Sequence, residues 1–153
     1  TEGESQKLTT APLTAALNLM RLSQLLGDPA FARRSEDTLQ ALAPQLNSAP
    51  LAVPMGLVAL ETALNPGQQI VLVGSPTDSV PQEMLRTIRS QFLPGAVTVL
   101  LDNPKSQAFF AKHAEFYGSV AEQDGKPTAY VCQNFVCQLP TTDPKTLAKQ
   151  LTE

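Results

Sequence analysis

Between residues 12 and 26, apolar side chains return at the three- and four-residue spacing of one helix face: Leu13, Ala16, Leu17, Met20 and Leu25. Leu19, Leu22 and Leu26 widen this stripe beyond what a surface helix needs, so the pattern predicts a helix that is apolar on more than one side. Gly27-Asp28-Pro29 then supplies a stop, an N-cap and a first-turn proline in consecutive positions. A second helix is expected to begin at once and to form an antiparallel hairpin with the first. Its stripe is Phe31, Leu39, Leu42 and Leu46, with the end near Pro44. Ser48-Ala49-Pro50 interrupts the chain, and residues 51–64 continue as a third helix that is apolar almost all round. Three helices with more apolar surface than they can bury among themselves read as the end of a helical array rather than a finished bundle.

At Asn65-Pro66-Gly67 the period changes, and β-branched, fully apolar runs take over. This divides the chain into a helical segment, residues 1–66, and a small α/β domain, residues 67–153. Residues 69–74 predict a short buried strand. Ser79-Val80-Pro81-Gln82 fits a capping box opening a helix with the stripe Val80, Met84, Leu85, Ile88 and Phe92. Pro94-Gly95 turns the chain into a second buried strand over residues 96–102. Strand, helix, strand at this spacing is a βαβ unit, with parallel strands and a right-handed crossover expected. Residues 104–117 predict another helix, residues 122–127 are turn-rich, and residues 128–132 and 135–139 read as strands around Gln133-Asn134. Thr142-Asp143-Pro144 caps a final helix with Leu147 and Leu151 inward. The expected fold class is α/β: a three-helix segment packed on a small, mostly parallel sheet that ends in a C-terminal β-hairpin.

Composition sharpens this picture. With 42% hydrophobic and only 16% charged residues, the chain can fold but is poor in charge for a free-standing surface. Part of that surface is therefore expected to be covered, by upstream parts of the same parent protein or by another copy. The formal net charge of −3 comes without a Lys/Arg block, and Arg33-Arg34 and Arg86/Arg89 stand isolated on helices. Neither nucleic acid nor a membrane is an expected partner. No apolar run approaches the roughly 20 residues of a membrane span, and Thr1-Glu2-Gly3-Glu4 has no signal-peptide order. The expectation is a soluble, cytoplasmic protein. Two cysteines do not make a disulfide scaffold, so a reducing compartment is the default. The absence of an initial Met suggests that the chain is a piece of something longer.

The stretch Tyr130-Val131-Cys132-Gln133-Asn134-Phe135-Val136-Cys137-Gln138-Leu139-Pro140-Thr141-Thr142-Asp143-Pro144, preceded by Gly125-Lys126-Pro127-Thr128-Ala129, carries a family likeness. Ile70-Val71-Leu72-Val73-Gly74, Phe92-Leu93-Pro94 and Ala15-Ala16-Leu17-Asn18-Leu19-Met20-Arg21-Leu22 extend it over most of the chain. Together they resemble the C-terminal end of the long thioredoxin-domain-containing family that includes the spermatogenesis-associated thioredoxin-like proteins. The resemblance implies an upstream thioredoxin-like domain, then a helical toroid like that of six-hairpin glycosidases and sugar epimerases, and a small closing α/β region. On that basis the helices here are the toroid's last ones. Thr9-Thr10-Ala11-Pro12 departs from the Ser-Gly-Asn-like segment that family members often carry before the first of these helices.

Cys132 and Cys137 lack the two-residue spacing of a redox motif. If Gln133-Asn134 is a two-residue turn, Cys132 faces Phe135 and Cys137 faces Tyr130. The cysteines are then diagonal neighbours, roughly 7–8 Å apart, beyond the usual disulfide Cα separation of about 4.4–6.8 Å. They read as reduced, partly buried structural thiols, with redox use as the alternative. Zinc needs four ligands, and His113, the only histidine, lies on another element. His113 shares its helix with Phe109, Phe110, Phe116 and Tyr117 and reads as a packing or surface residue. Glu115, Glu122 and Asp124 read as surface charge. The loop carrying Gly74, Ser75 and Asp78 joins a strand to a helix N-terminus, where an anion would be favoured, and Asp102 and Asn103 end the second strand on the same edge. A dinucleotide loop would hold three glycines, and Gly74 stands alone, so capping by Ser79 is the simpler reading. No catalytic residue, cofactor or metal is expected. The chain reads as a non-catalytic structural or interaction module, the alternative being a piece of a sugar epimerase- or hydrolase-like enzyme or of a thiol oxidoreductase with its catalytic residues upstream.

Overall fold

The computed structural model describes residues 2–133 and 136–152, and side chains from Ala11 onward. They form two compact units, Thr1–Pro66 and Gly67–Glu153. The first unit is helical: α1 (Glu2–Leu26), α2 (Pro29–Ala41), α3 (Ala43–Ser48) and α4 (Pro54–Leu64), with a 3-10 turn over Pro50–Ala52. The helix α1 begins well ahead of its apolar stripe and carries Pro12 in its interior. A polar helical extension has no stripe to reveal it, and Pro12 removes a hydrogen bond from the ladder without ending the helix. Asp28 caps α2 by accepting from the Ala30 amide at 2.8 Å. The expected second helix is split at Leu42 because Pro44, inside the first turn of α3, cannot continue the ladder of α2. The third helix starts later than its apolar run, with Pro54 in its first turn.

The core of this unit gathers Leu13, Ala16 and Leu17 from α1, Leu39 from α2, Leu46 from α3 and Ala59 from α4. The hydroxyl of Ser35 donates to the Ala16 carbonyl at 2.8 Å, pinning α2 to α1 in a buried position. The face that α4 turns inward is made of small residues, Gly56, Ala59 and Thr62. A Cβ on Gly56 would stand 3.1 Å from a Leu13 methyl, so the glycine sets how closely α4 approaches α1. The large apolar residues of α4, Leu57, Val58, Leu60 and Leu64, point away from this core and are exposed.

The second unit is built on a four-stranded mixed sheet of order β2-β1-β3-β4, with β1 (Gln69–Val73), β2 (Val97–Leu101), β3 (Thr128–Gln133) and β4 (Val136–Cys137). The strands β1 and β2 are parallel, and the C-terminal hairpin adds two antiparallel pairings. One sheet face, with Ile70, Leu72, Ala129 and Val131, packs against Met84 and Ile88 of α5 (Ser79–Ser90), Leu147 of α8 (Pro144–Gln150) and Leu151 at its C-cap. On the other face, Gln69 donates to the Tyr117 hydroxyl at 2.9 Å and the ring of Tyr130 meets Phe116 edge-on. Both aromatic partners belong to α7 (Phe116–Ser119), which follows α6 (Pro104–Ala111). Helices on both faces are why β1 reads as a continuous apolar run rather than an alternating one.

The local chemistry departs from expectation at four points. The N-cap of α5 is Asp78, and its side chain makes no capping bond. Ser79 is the first helical residue, and the Gln82 amide reaches back to the Pro76 carbonyl at 3.1 Å, so the capping box does not form. Phe92 lies past the end of α5 and is 92% exposed, outside the stripe that buries Met84 and Ile88. The helix expected over residues 104–117 is broken between Ala111 and Phe116. Among the described residues, no helix is long and apolar enough to cross a membrane.

Candidate functional site

Parallel pairing brings the C-terminal ends of β1 and β2 to one edge, where the Gly74 amide donates to the Leu101 carbonyl at 3.1 Å. This places Gly74, Ser75, Asp78, Asp102 and Asn103 near one another, as the crossover connection requires. Their bonds, however, close on one another. Gly74 has φ 143°, and an added Cβ would lie 2.8 Å from the Pro127 ring, so its lack of a side chain serves packing against Pro127. The Ser75 and Thr77 hydroxyls share a hydrogen bond of 2.7 Å, and the Asp78 amide closes a turn onto the Ser75 carbonyl at 3.1 Å. Asp102 accepts from the Asn103 side-chain amide at 2.6 Å. Asn103 caps α6 by accepting from the Lys105 and Ser106 amides, while Ser106 completes a capping box. The edge is a pair of well-made turns, with exposed carboxylates at Asp78 and Asp102.

The hairpin overturns the expectation of two reduced thiols. Cys132 and Cys137 are joined by a disulfide with a Cα separation of 3.9 Å. The expected register does not hold: Gln133 pairs with Val136, so Cys132 stands directly opposite Cys137 instead of diagonal to it. Asn134, part of the expected turn, and Phe135 lie outside the described residues. The Gln138 amide donates to the Val131 carbonyl at 2.9 Å, which marks Val131 and Gln138 as a hydrogen-bonded pair. The cysteines next to it therefore occupy a non-hydrogen-bonded pair, where opposed Cα atoms come closest. The two cysteines differ in burial. Cys132 is 2% exposed within β3, whereas Cys137 lies on the exposed edge strand.

Beyond Cys137 the chain stays attached to β3. Ala129 and Thr141 exchange backbone hydrogen bonds of 2.8 and 3.0 Å, leaving Leu139 and Pro140 as a bulge opposite Tyr130. Gln138 donates to the Gln150 carbonyl at 3.3 Å, and Gln150 donates to the Leu139 carbonyl at 2.7 Å, a reciprocal clamp onto α8. Nothing in the sequence singles out these two glutamines, whose partners are backbone carbonyls far along the chain.

His113 sits on the exposed turn between α6 and α7, its ring 5.3 Å from Phe109. Glu115, Glu122 and Asp124 are exposed, and no three His, Cys, Asp or Glu residues gather into a metal-binding group among the described residues. The interior polar contact that the sequence did not flag is Gln69 to Tyr117. Burial pushes the Tyr117 hydroxyl above its ordinary range, and the hydrogen bond from Gln69 partly offsets this. Gln107 ties the same region together, donating to the Tyr117 and Val120 carbonyls at 3.0 and 2.7 Å.

Sequence comparison relates the chain to spermatogenesis-associated protein 20 of rat and of human, each 28% identical over 142 residues, 93% of this chain. An uncharacterised protein of Caenorhabditis elegans is 28% identical over 131 residues, 86% of the chain. The chain spans 18% of the length of the two mammalian relatives and 17% of the worm protein. No family model matches, and no solved structure matches.

Proposed function

We propose that this chain is a non-catalytic structural and interaction module at the C-terminal end of a longer protein of the thioredoxin-domain-containing type, docking through the outer face of α4 onto upstream helices. The observation that carries this reading is the inverted arrangement of α4: Leu57, Val58, Leu60 and Leu64 are exposed on a helix whose small residues face the core. A soluble surface helix ordinarily turns its large apolar side chains inward, and a contiguous outward row of them marks a contact surface. Leu51, in the turn before α4, is also exposed. Leu13 and Leu17, by contrast, are buried in the core of this unit. The relatives support the reading because the chain corresponds to less than a fifth of their length, which leaves ample chain to supply the opposite surface.

The test is carbene footprinting of this chain alone and within the longer protein. Heavy labelling of Leu57, Leu60 and Leu64 in the isolated chain, and protection of all three in the longer one, is the expected result. Equal labelling in both would refute docking through this face.

A further inference from the structure

We propose that the Cys132–Cys137 bridge is a thiol–disulfide exchange site that accepts two electrons from a dithiol, with Cys137 as the sulfur attacked. Three features of the hairpin point to it. The first is the unequal burial of the two cysteines: Cys132 is enclosed within β3, and Cys137 stands on the exposed edge strand. Exchange requires an incoming thiolate to reach one sulfur, and access selects which. The second is redundancy. The Gln138 to Val131 bond, the Ala129 and Thr141 pair and the Gln138 and Gln150 clamp hold the edge segment to β3 and α8 without the bridge. The bridge closes a loop of sequence separation 5, and short loops restrict the unfolded chain least. Opening it therefore leaves the sheet in place. The third is that the pair is self-contained, because the chain holds two cysteines and both are in it.

The step balances as follows. A thiolate of the dithiol attacks Cys137 Sγ, forming a mixed disulfide and releasing Cys132 as a thiolate, which takes up a proton. The second thiol of the same molecule, deprotonated, then attacks its own sulfur in the mixed disulfide, releasing Cys137, which is protonated in turn. The dithiol leaves as a cyclic or intramolecular disulfide, and the hairpin has gained two electrons and two protons. The ladder explains why the reductant must be a dithiol. Cys132 stays directly opposite Cys137 in the register of β3 and β4, so it recaptures the bridge from any monothiol adduct at high effective concentration. Only a second thiol carried on the adduct competes.

The experiment uses the intact chain under native conditions, with dithiothreitol as the dithiol and glutathione as the monothiol. Dithiothreitol is expected to open the bridge, seen as two alkylated cysteines in the intact mass, without loss of the far-ultraviolet dichroism. At equal thiol concentration, glutathione is expected to reduce the bridge at least ten-fold less. In single variants, Cys132→Ser should leave a Cys137 thiol that a disulfide reagent labels at least ten-fold faster than the Cys132 thiol of Cys137→Ser. If either variant fails to fold, peptide mapping of the wild-type chain trapped with glutathione gives the same answer, the adduct falling on Cys137. A bridge that resists dithiothreitol until the protein unfolds, an adduct on Cys132, or collapse of the dichroism on reduction would each overturn the proposal.

Discussion

From Gly67 on, apolar side chains are buried on both faces of a sheet, whereas up to Pro66 one helix is buried on its small-residue side and bare on its large-residue side. In the α/β unit the largest interior residues, Tyr117, Ile70, Leu72, Met84 and Leu147, are the ones the core encloses. In the helical unit, α4 contributes Gly56, Ala59 and Thr62 to the interior and shows Leu57, Val58, Leu60 and Leu64 to the outside. Apolar content alone therefore does not locate a core. Side-chain size decides how closely two helices approach, and the leucines of α4 are free for a second contact because small residues make the first.

Truncating one leucine in each unit should give the largest contrast. Leu147→Ala empties a fully buried site between α8 and the sheet and is expected to cost about 3 kcal/mol. Leu60→Ala removes an exposed side chain and should stay within about 0.5 kcal/mol. Urea unfolding monitored by dichroism measures both. A Leu60→Ala cost close to that of Leu147→Ala would mean that the outer face of α4 is part of a core.

The reverse change sharpens the same point. Ala59→Leu places a large side chain at a fully buried position beside α1 and is expected to destabilise by about 2 kcal/mol through overpacking. A drop in melting temperature would register it, and an unchanged melt would show that α4 does not lie close against α1.

How far the sequence reveals these two regions follows from what each pattern encodes. The 3.6-residue period located α1 and α5, and the three consecutive residues Gly27-Asp28-Pro29 placed the cap of α2, because both signals are local. The parallel pairing of β1 with β2 was legible from the buried runs and the helix between them. The inward face of α4 was not, since an all-apolar helix has no stripe to orient it. The hairpin register failed for a related reason. Without an Asn-Gly pair, nothing local fixes the strand pairing, and the observed register moves Cys137 from a diagonal to a direct partner of Cys132. At the strand-end loops, residue types suggested an anion site, but the chain consumes their polar groups locally: Asn103 in a capping box, Ser75 with Thr77.

A smaller effect separates the interior polar contact of the α/β unit from the exposed ones. Burial raises the ionisation of Tyr117, with the Gln69 hydrogen bond acting the other way. The folded state thus holds the phenol proton more tightly than the unfolded chain. The associated stability is complete below the unfolded value near 10 and is lost as the pH rises through the higher folded value. Tyr117→Phe should lower stability at neutral pH by about 1 kcal/mol, the net worth of one hydrogen bond. It should also remove this residue's share of the alkaline loss, measured as melting temperature between neutral pH and pH about 11. A wild-type alkaline profile in the variant would show that Tyr117 is not the group responsible.

The smallest expected effect lies at the N-cap of α8, where the α/β unit closes its C-terminal end. The Thr146 hydroxyl donates to Asp143 at 2.8 Å, and the amides of Lys145 and Thr146 donate to it at 3.2 and 3.0 Å. These bonds, the Thr146 hydroxyl first, hold the Asp143 carboxyl below its ordinary value of 3.8, and the charge of Lys145 adds to them. The folded state then binds this proton less readily than the unfolded chain. Its contribution is present at and above the ordinary value and is lost as the pH falls through the lower folded one. Asparagine caps helices about as well as aspartate but does not titrate in this range, so Asp143→Asn separates capping from ionisation. Near neutral pH the variant should melt close to the wild type. Below pH about 4 the wild type should lose melting temperature through this group while the variant does not, and the two curves should converge or cross. Because the leading cause is a hydrogen bond from a neutral hydroxyl rather than a distant charge, raising the salt concentration should leave most of the difference intact. A difference that vanishes in salt would instead assign the effect to Lys145, and Thr146→Ala would then leave the acid profile unchanged.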